Sequence, residues 1–537
     1  MLVGVDGLMM GTQLTLDLLL RRAETLFPRK EVVSRRPDRT LARTTYAEIA
    51  ARSRRLAVAL RALGLERGDR VATLCWNHAA HLELYFGVPA AGGVVHTLNP
   101  RLHPDELAYI AGHAGDRLAV VDDVLAPVLE SFRERAPFER VIVAPGEYEE
   151  LLAGADEAAY EEPALDEDEA AATCYTSGTT GRPKGVVYSH RALVLHSVAS
   201  AMADLLGIAE RDVVMPVVPM FHANAWGLPY TAALVGAKLV LPGPHLDPVS
   251  LLELMEGERA TVAAGVPTIW LGLLRELDAA PGARDLSALR MLLIGGSAAP
   301  RALIEGFQER HGITVVHAWG MTEMTPLGTV CRVTSELADS PADEQYAVRS
   351  KQGLPAPLVE IRARAGDGLA PWDGQTMGEL EVRGPWVAGS YYESPEGADR
   401  FTEDGWFRTG DIVTIDPRGY VEIQDRAKDM IKSGGEWISS VALENALMGH
   451  PAVAEAAVIA VPHDRWGERP LAVVVLAACV AASAGELIEH LSRSFAKFQL
   501  PDAVEFVDEI PKTSVGKFRK TALREQFAGA EAAPLHS

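Results

Sequence analysis

The segment Tyr175-Thr176-Ser177-Gly178-Thr179-Thr180-Gly181-Arg182-Pro183-Lys184-Gly185-Val186 packs hydroxyls, glycines and two cations into a turn. It follows an apolar, strand-like run, Ala171 to Tyr175. Glycines let a backbone approach a ligand closely, exposed N–H groups and hydroxyls donate to phosphate oxygens, and Lys184 neutralises their charge. A strand feeding such a turn reads as a polyphosphate loop in an α/β sheet. It is not a Walker A loop, because Pro183 precedes Lys184 and Gly185 follows it. No Gly-x-Gly-x-x-Gly opens a helix either, so a dinucleotide fold has no support. A plain surface turn is the alternative, and the density of donors directly after a strand weighs against it.

Outward from this loop, helix-like and strand-like stretches alternate. Tyr46 to Leu63 has apolar residues at helical spacing and Gly64 ends it. Arg70–Leu74, Asp116–Val121, Val213–Val218, Lys238–Leu241 and Met291–Ile294 read as short strands. This alternation predicts α/β layers around a largely parallel sheet. Ala153 to Glu169, rich in Ala and acids, reads as an exposed connector. Near Asp425 the pattern changes. Before it lie strands punctuated by turns at Pro371–Gly374 and Asp416–Gly419. After it come a helix (Ser440 to Met448), strands (Val453 to Val461, Leu471 to Leu476) and another helix (Ala484 to Phe495). The expected organisation is a large N-terminal domain of α/β subdomains, residues 1–424, and a small, mobile α+β domain, residues 425–537.

The net charge of −22 argues against nucleic acid, which needs a basic footprint. An acidic exterior also repels anionic substrates, so cations or a metal must receive them inside a cleft. Cys75, Cys174, Cys331 and Cys479 have no Cys-x-x-Cys spacing, which favours buried thiols in a reducing compartment over disulfides or a zinc site. The N-terminus carries Asp6 and no basic run, so a signal peptide is not expected. The longest apolar run, Leu471 to Gly485, is 15 residues, short of the ~20 that span a bilayer. A cytoplasmic protein without a transmembrane segment is expected.

The phosphate loop is joined by His317-Ala318-Trp319-Gly320-Met321-Thr322-Glu323, Thr409-Gly410-Asp411, Asp425-Arg426-Ala427-Lys428-Asp429 and Pro511-Lys512-Thr513-Ser514-Val515-Gly516-Lys517. In this order they resemble the acyl-adenylate-forming superfamily, and within it bacterial fatty acyl-CoA synthetases. The resemblance implies an enzyme using ATP, Mg²⁺ and coenzyme A, with a carboxylic acid as its small-molecule partner. It implies that Thr176, Ser177, Gly178, Thr179, Thr180, Gly181 and Lys184 cradle phosphates, that Thr322 meets the α-phosphate, and that Glu323 holds Mg²⁺. One carboxylate suffices there, since phosphate oxygens complete the octahedron. Trp319 stands where relatives usually carry Tyr and would stack on adenine. Asp411, assisted by Arg426, would accept from the ribose hydroxyls.

Lys517 would be the catalytic lysine of adenylation, stabilising charge as an acid meets the α-phosphate. Asp425 would be the hinge that exchanges Lys517 for Lys432-Ser433-Gly434-Gly435-Glu436-Trp437, with Lys432 and Trp437 at the pantetheine tunnel. His222 and Trp226 would border the acyl pocket, with His222 near the acyl carbonyl and Trp226 at its gate, and Gly295 and Gly296 leaving room for a chain. Each residue alone has a plainer structural reading, and the weight comes from their company. The rival acids are 3-(methylthio)propionate and other short acids. A free carrier protein is a rival acceptor, no carrier domain being expected, and a catalytically dead scaffold is the rival from another class. Close relatives are often dimers, so a homodimer is a further expectation.

Overall fold

The computed structural model describes residues 7–176, 182–434, 436–463, 465–477, 480–512 and 518–527. Helix Tyr46–Ala62 begins where Thr45 and Glu48 form a reciprocal capping box. Strands Arg70–Leu74, Lys238–Leu241 and Met291–Ile294 occupy the expected residues. Two expected strands of the large domain shift, and in the small domain the expected strands lengthen to Val453–His463 and Gly467–Leu476. Leu118–Asp122 starts late because Asp116 is buried against His96. Val213–Pro216 stops early because the N–H groups of Val217 and Val218 both turn to Ala264 O.

Four sheets result. A six-stranded sheet runs Arg140–Ala144, Leu118–Asp122, Arg70–Leu74, Val94–Thr97, Ala170–Tyr175 and Gly185–Ser189, parallel except for the last pair. A nine-stranded sheet has a parallel centre that includes Val315–Gly320, Met291–Ile294, Val262–Gly265 and Val213–Pro216. Near-continuous apolar strands buried on both faces are what such a centre requires. The largest buried cluster joins these two sheets through helices such as Leu16–Leu26 and His190–Ala201. A five-stranded antiparallel sheet, from Gly368–Leu369 to Val421–Arg426, packs into the same cluster.

The fourth sheet belongs to a smaller C-terminal unit. Strands Gly467–Leu476 and Val453–His463 form a long antiparallel pair, flanked by Ile431–Ser433 and Ala503–Phe506. Its cores are its own, one around Val458, Val474 and Leu487 and another around Ile459, Val473 and Leu523. The chain is therefore mixed α/β with a large N-terminal and a small C-terminal domain. Asp425 lies one residue before the end of strand Val421–Arg426, still paired with Ile412 of the preceding sheet. The apolar run from Leu471 divides between a strand and helix Ala484–Ser492, and among the described residues no helix is long and apolar enough to cross a membrane.

Candidate active site

The phosphate turn joins the antiparallel strands Ala170–Tyr175 and Gly185–Ser189. Its neck is closed by Thr176 N–H to Lys184 O at 3.0 Å and Lys184 N–H to Thr176 Oγ1 at 3.1 Å. The expected phosphate ligands Ser177, Gly178, Thr179, Thr180 and Gly181 lie outside the described residues. The base of the turn is braced from behind, where the hydroxyl of Tyr175 bonds His113 Nδ1 at 2.7 Å. Gly185 meets Tyr175 so closely that a Cβ there would stand 3.0 Å from the tyrosine ring.

Lys184 and Glu323 converge on one side chain that sequence reasoning missed. The Lys184 Nζ sits 4.9 Å from the centroid of the Tyr391 ring, and the Tyr391 hydroxyl donates to Glu323 Oε1 at 2.6 Å. Burial, and then the Glu323 charge, push the Tyr391 hydroxyl well up, so it stays a donor. Glu323 is 6% exposed, in the single turn Thr322–Met324 after strand Val315–Gly320. Tyr188 anchors the neighbouring Thr322 by donating to its carbonyl at 2.7 Å. Among the described residues Glu323 forms no ion pair. A buried oxygen ligand, anchored through one oxygen and without a cationic partner, suits a hard divalent cation such as Mg²⁺.

Trp319, Asp411 and Arg426 form a second group. Strands Val315–Gly320, Phe407–Ile415 and Val421–Arg426 bring them together from three places in the chain. The Trp319 indole N–H donates to Asp411 Oδ2 at 3.0 Å, and Arg426 Nε pairs with Asp411 Oδ1 at 2.8 Å. One face of Trp319 is pressed against Gly328, where a Cβ would stand 2.5 Å from the ring. Each carboxylate oxygen keeps lone-pair capacity beyond these bonds.

Of the acyl-pocket candidates, Trp226 and Gly295 meet. His222 is half-buried, and after it Ala223, Asn224, Ala225, Trp226 and Gly227 all take positive φ, from 42° to 71°. This left-handed turn costs about 1–2 kcal/mol per non-glycine residue and survives because its surroundings over-determine it. It aims the Trp226 ring at Gly295, where a Cβ would stand 3.2 Å from the ring and 3.0 Å from Ala318 O. The space that Gly295 spares is thus filled by Trp226. Gly296 follows at φ +86°.

At the hinge candidate, Asp425 is buried and accepts from Arg426 N and Ser440 N, each at 2.7 Å, and from the Ser440 hydroxyl. It thereby holds the start of helix Ser440–Met448 of the small domain. Lys520 reaches the same serine and pairs with Glu444 at 2.7 Å. Burial pushes the Glu444 carboxyl up to about 7, against the pull of Lys520. Arg275 of the large domain donates to Ala454 O of the small one at 3.3 Å. Lys432 is exposed with its Nζ 5.5 Å from the Trp437 ring centroid. Lys517 lies outside the described residues, and the bridge between Lys512 and Phe518 flanks its segment.

A strand-fed turn rich in donors, a buried carboxylate without an ion pair among the described residues, and a second carboxylate held by an indole and a guanidinium are the arrangement expected of an adenylate-forming enzyme. Residues 20–392 match the AMP-binding enzyme family and residues 442–517 the AMP-binding enzyme C-terminal domain, and the chain belongs to that family. It is an acyl-CoA ligase of the AMP-forming kind. It is similar to a long-chain-fatty-acid–CoA ligase of Thermus thermophilus, 53% identical, covering 97% of this chain and 96% of the relative. It is also similar to a 3-methylmercaptopropionyl-CoA ligase of Ruegeria lacuscaerulensis, 46% identical over 98% and 99%. A benzoate CoA ligase structure from Burkholderia xenovorans superposes with a TM-score of 0.83 at 29% identity, covering 96% of this chain and 100% of that one.

Proposed function

We propose that the protein converts a fatty acid to its coenzyme A thioester in two half-reactions, with Lys517 catalysing the first. A carboxylate oxygen attacks the α-phosphorus of ATP, pyrophosphate leaves, and an acyl-adenylate forms. The thiol of coenzyme A then gives up its proton and attacks the acyl carbonyl, and AMP leaves. The observation that carries the reading is the meeting of Lys184 and Glu323 on Tyr391 beside the neck of the phosphate turn.

Lys184 and the hydroxyls and N–H groups of 176–181 receive the phosphates, and Thr322 meets the α-phosphate. Glu323 is the ligand for Mg²⁺, which when bound screens phosphate charge. Asp411 and Arg426 hold the ribose, and Trp319 flanks the adenine. His222, Trp226 and Gly296 border the acyl chain, and Gly295 gives it room once the Trp226 ring swings aside. Asp425 is the hinge between residues 1–424 and 425–537, and Lys432 and Trp437 line the approach of the pantetheine arm. The identity to a long-chain ligase supports an aliphatic acid. A second reading, 3-(methylthio)propionate, draws on the identity to the Ruegeria enzyme. Buried thiols at Cys75, Cys174 and Cys331 suit a cytoplasmic enzyme, and a homodimer is its expected assembly, open to sedimentation analysis.

Lys517→Ala tests the mechanism. Acid-dependent pyrophosphate exchange falls while thiolysis of supplied acyl-adenylate persists. Exchange at the wild-type rate would remove Lys517 from its role. Coenzyme A-dependent AMP release with short, medium and long saturated acids, 3-(methylthio)propionate and benzoate decides the substrate.

A further inference from the structure

Cys75, His78 and Asp122 form a cluster of metal-ligating side chains outside the site described above. Each offers one atom, a thiol sulfur, a ring nitrogen and a carboxylate oxygen, and these lie within 4.8 Å of one another. Cys75 directly follows strand Arg70–Leu74, and His78 precedes helix Ala79–Ala90. Asp122 ends strand Leu118–Asp122. Cys-x-x-Cys is absent from the chain, but Cys75-x-x-His78 keeps that spacing, and the third ligand arrives from the strand alongside.

The fold puts this cluster where open parallel sheets receive ligands. Strands Arg70–Leu74 and Leu118–Asp122 are parallel neighbours, and the chain leaves their carboxyl ends in opposite directions. The first continues to Val94–Thr97 on one side, the second to Arg140–Ala144 on the other. Such a reversal opens a crevice between the two strand ends, and the three side chains stand at it. The thiol is fully buried, whereas the His78 side chain keeps 22% exposure, so an ion can enter past the imidazole. The same turn supports the approach to His222. Asn77 Nδ2 donates to Pro216 O at 2.9 Å and Val218 O at 3.0 Å, and Met220 N–H donates to Asn77 Oδ1 at 2.7 Å.

We propose that Cys75, His78 and Asp122 form a Zn²⁺ site, in addition to the Mg²⁺ ligand at Glu323, and that the ion pins the turn carrying Asn77. A thiolate and a carboxylate together neutralise a divalent ion, as a buried site requires. Sulfur and imidazole ligands favour zinc over magnesium. Trp76 N–H holds Asp122 Oδ2 at 2.8 Å, which leaves Oδ1, 2.8 Å from His78 Nε2, to turn to the metal. On binding, the Cys75 thiol gives up its long bond to Val120 O (3.5 Å), and its proton leaves to water. The His78 proton moves from Nε2 to Nδ1, which forfeits the 3.3 Å bond from His81 N–H. Ligand atoms around a tetrahedral zinc stand about 3.3–3.7 Å apart, so side-chain rotations of about 1 Å complete the site, with water as the fourth ligand.

The test titrates the full chain with Zn²⁺, and separately with Co²⁺, in excess Mg²⁺ so that Glu323 does not compete. The wild-type chain takes up one equivalent of Zn²⁺, and Co²⁺ in its place shows the near-ultraviolet charge-transfer band of a bound thiolate. Cys75→Ala abolishes that band, while Cys331→Ala keeps it. Cys75→Ala and His78→Gln each weaken Zn²⁺ by more than the about 100-fold that an outer partner of a ligand can cost. Zn²⁺ raises the melting temperature of the wild-type chain and not that of either variant. Melting temperatures without zinc check folding, and His78→Gln, at the half-buried edge, decides the matter should Cys75→Ala not fold. A wild-type chain that takes up no Zn²⁺, a band that survives Cys75→Ala, or a His78→Gln chain with unchanged Zn²⁺ affinity would overturn the site.

Discussion

At the scale of single residues, the site works by anchoring carboxylates. Tyr391 holds one oxygen of Glu323, and the other is the one proposed to meet Mg²⁺. Tyr391→Phe keeps the ring under Lys184 and removes only the hydroxyl. Because an outer partner of a metal ligand is worth about 10–100-fold in metal affinity, the apparent Mg²⁺ constant should rise at least about tenfold. Mg²⁺ titration of pyrophosphate exchange and Mn²⁺ binding by electron paramagnetic resonance both read this, and an unchanged metal requirement would refute it. Trp319→Phe removes the donor to Asp411 Oδ2 while keeping an aromatic face. One hydrogen bond of about 1 kcal/mol corresponds to a roughly fivefold rise in KM for ATP. The preference for ATP over 2′-deoxy-ATP should shrink with it. If that preference is untouched, the indole N–H does not serve the ribose.

At the scale of elements, the left-handed turn from Ala223 to Gly227 is the costliest piece of backbone described. A Cβ on Gly227 would lie 2.6 Å from His196 Nδ1, and its φ is +71°. Gly227→Ala should therefore cost about 2–3 kcal/mol, seen as a lower urea midpoint at unchanged slope. His196 sits under this turn and accepts Leu327 N–H through Nε2 at 3.3 Å. Burial pushes its ring down to about 3 from the ordinary 6.5, so it is neutral when folded. The stability this contributes is present above pH 6.5 and drains as pH falls toward about 3, because the unfolded ring takes up its proton first. Melting temperatures measured from about pH 7 down to about pH 5 should fall, and His196→Gln should flatten the slope.

At the scale of the whole molecule, the two domains are tied where Asp425, paired into the large domain's sheet, accepts from the N–H and hydroxyl of Ser440. Asp425→Ala removes those charge-assisted bonds, worth about 1.5–3 kcal/mol. Limited proteolysis near residues 426–440 should speed up, and thioester formation should suffer more than pyrophosphate exchange. An unchanged cleavage rate would show that the tie carries no load. Most of this architecture was legible in the chain. Continuous apolar runs such as Met291–Ile294 and the helical spacing after Tyr46 report local burial directly. Two boundaries moved where a distant partner intervened, His96 at Asp116 and Ala264 at Val217, while in the small domain the strands lengthen to Val453–His463 and Gly467–Leu476 and the helix from Ala484 stops at Ser492. The site was legible in its motifs, and Trp319, Asp411 and Arg426 do come together. Tyr391 was not legible, since nothing around it in sequence distinguishes it from a packed aromatic.

By itself the sequence determined the reaction class and the layered α/β plan, and it singled out the residues proposed for phosphate, metal and ribose chemistry. Those depend on residue type and short spacing, which a linear chain displays. Only the tertiary structure decided that Tyr391 reaches Glu323 across 68 residues, that Trp319 donates to Asp411 across 92, and that Trp226 fills the space beside Gly295. Such meetings are set by the order of strands in a sheet and by which side chains are left facing one another, and neither is written in any local pattern.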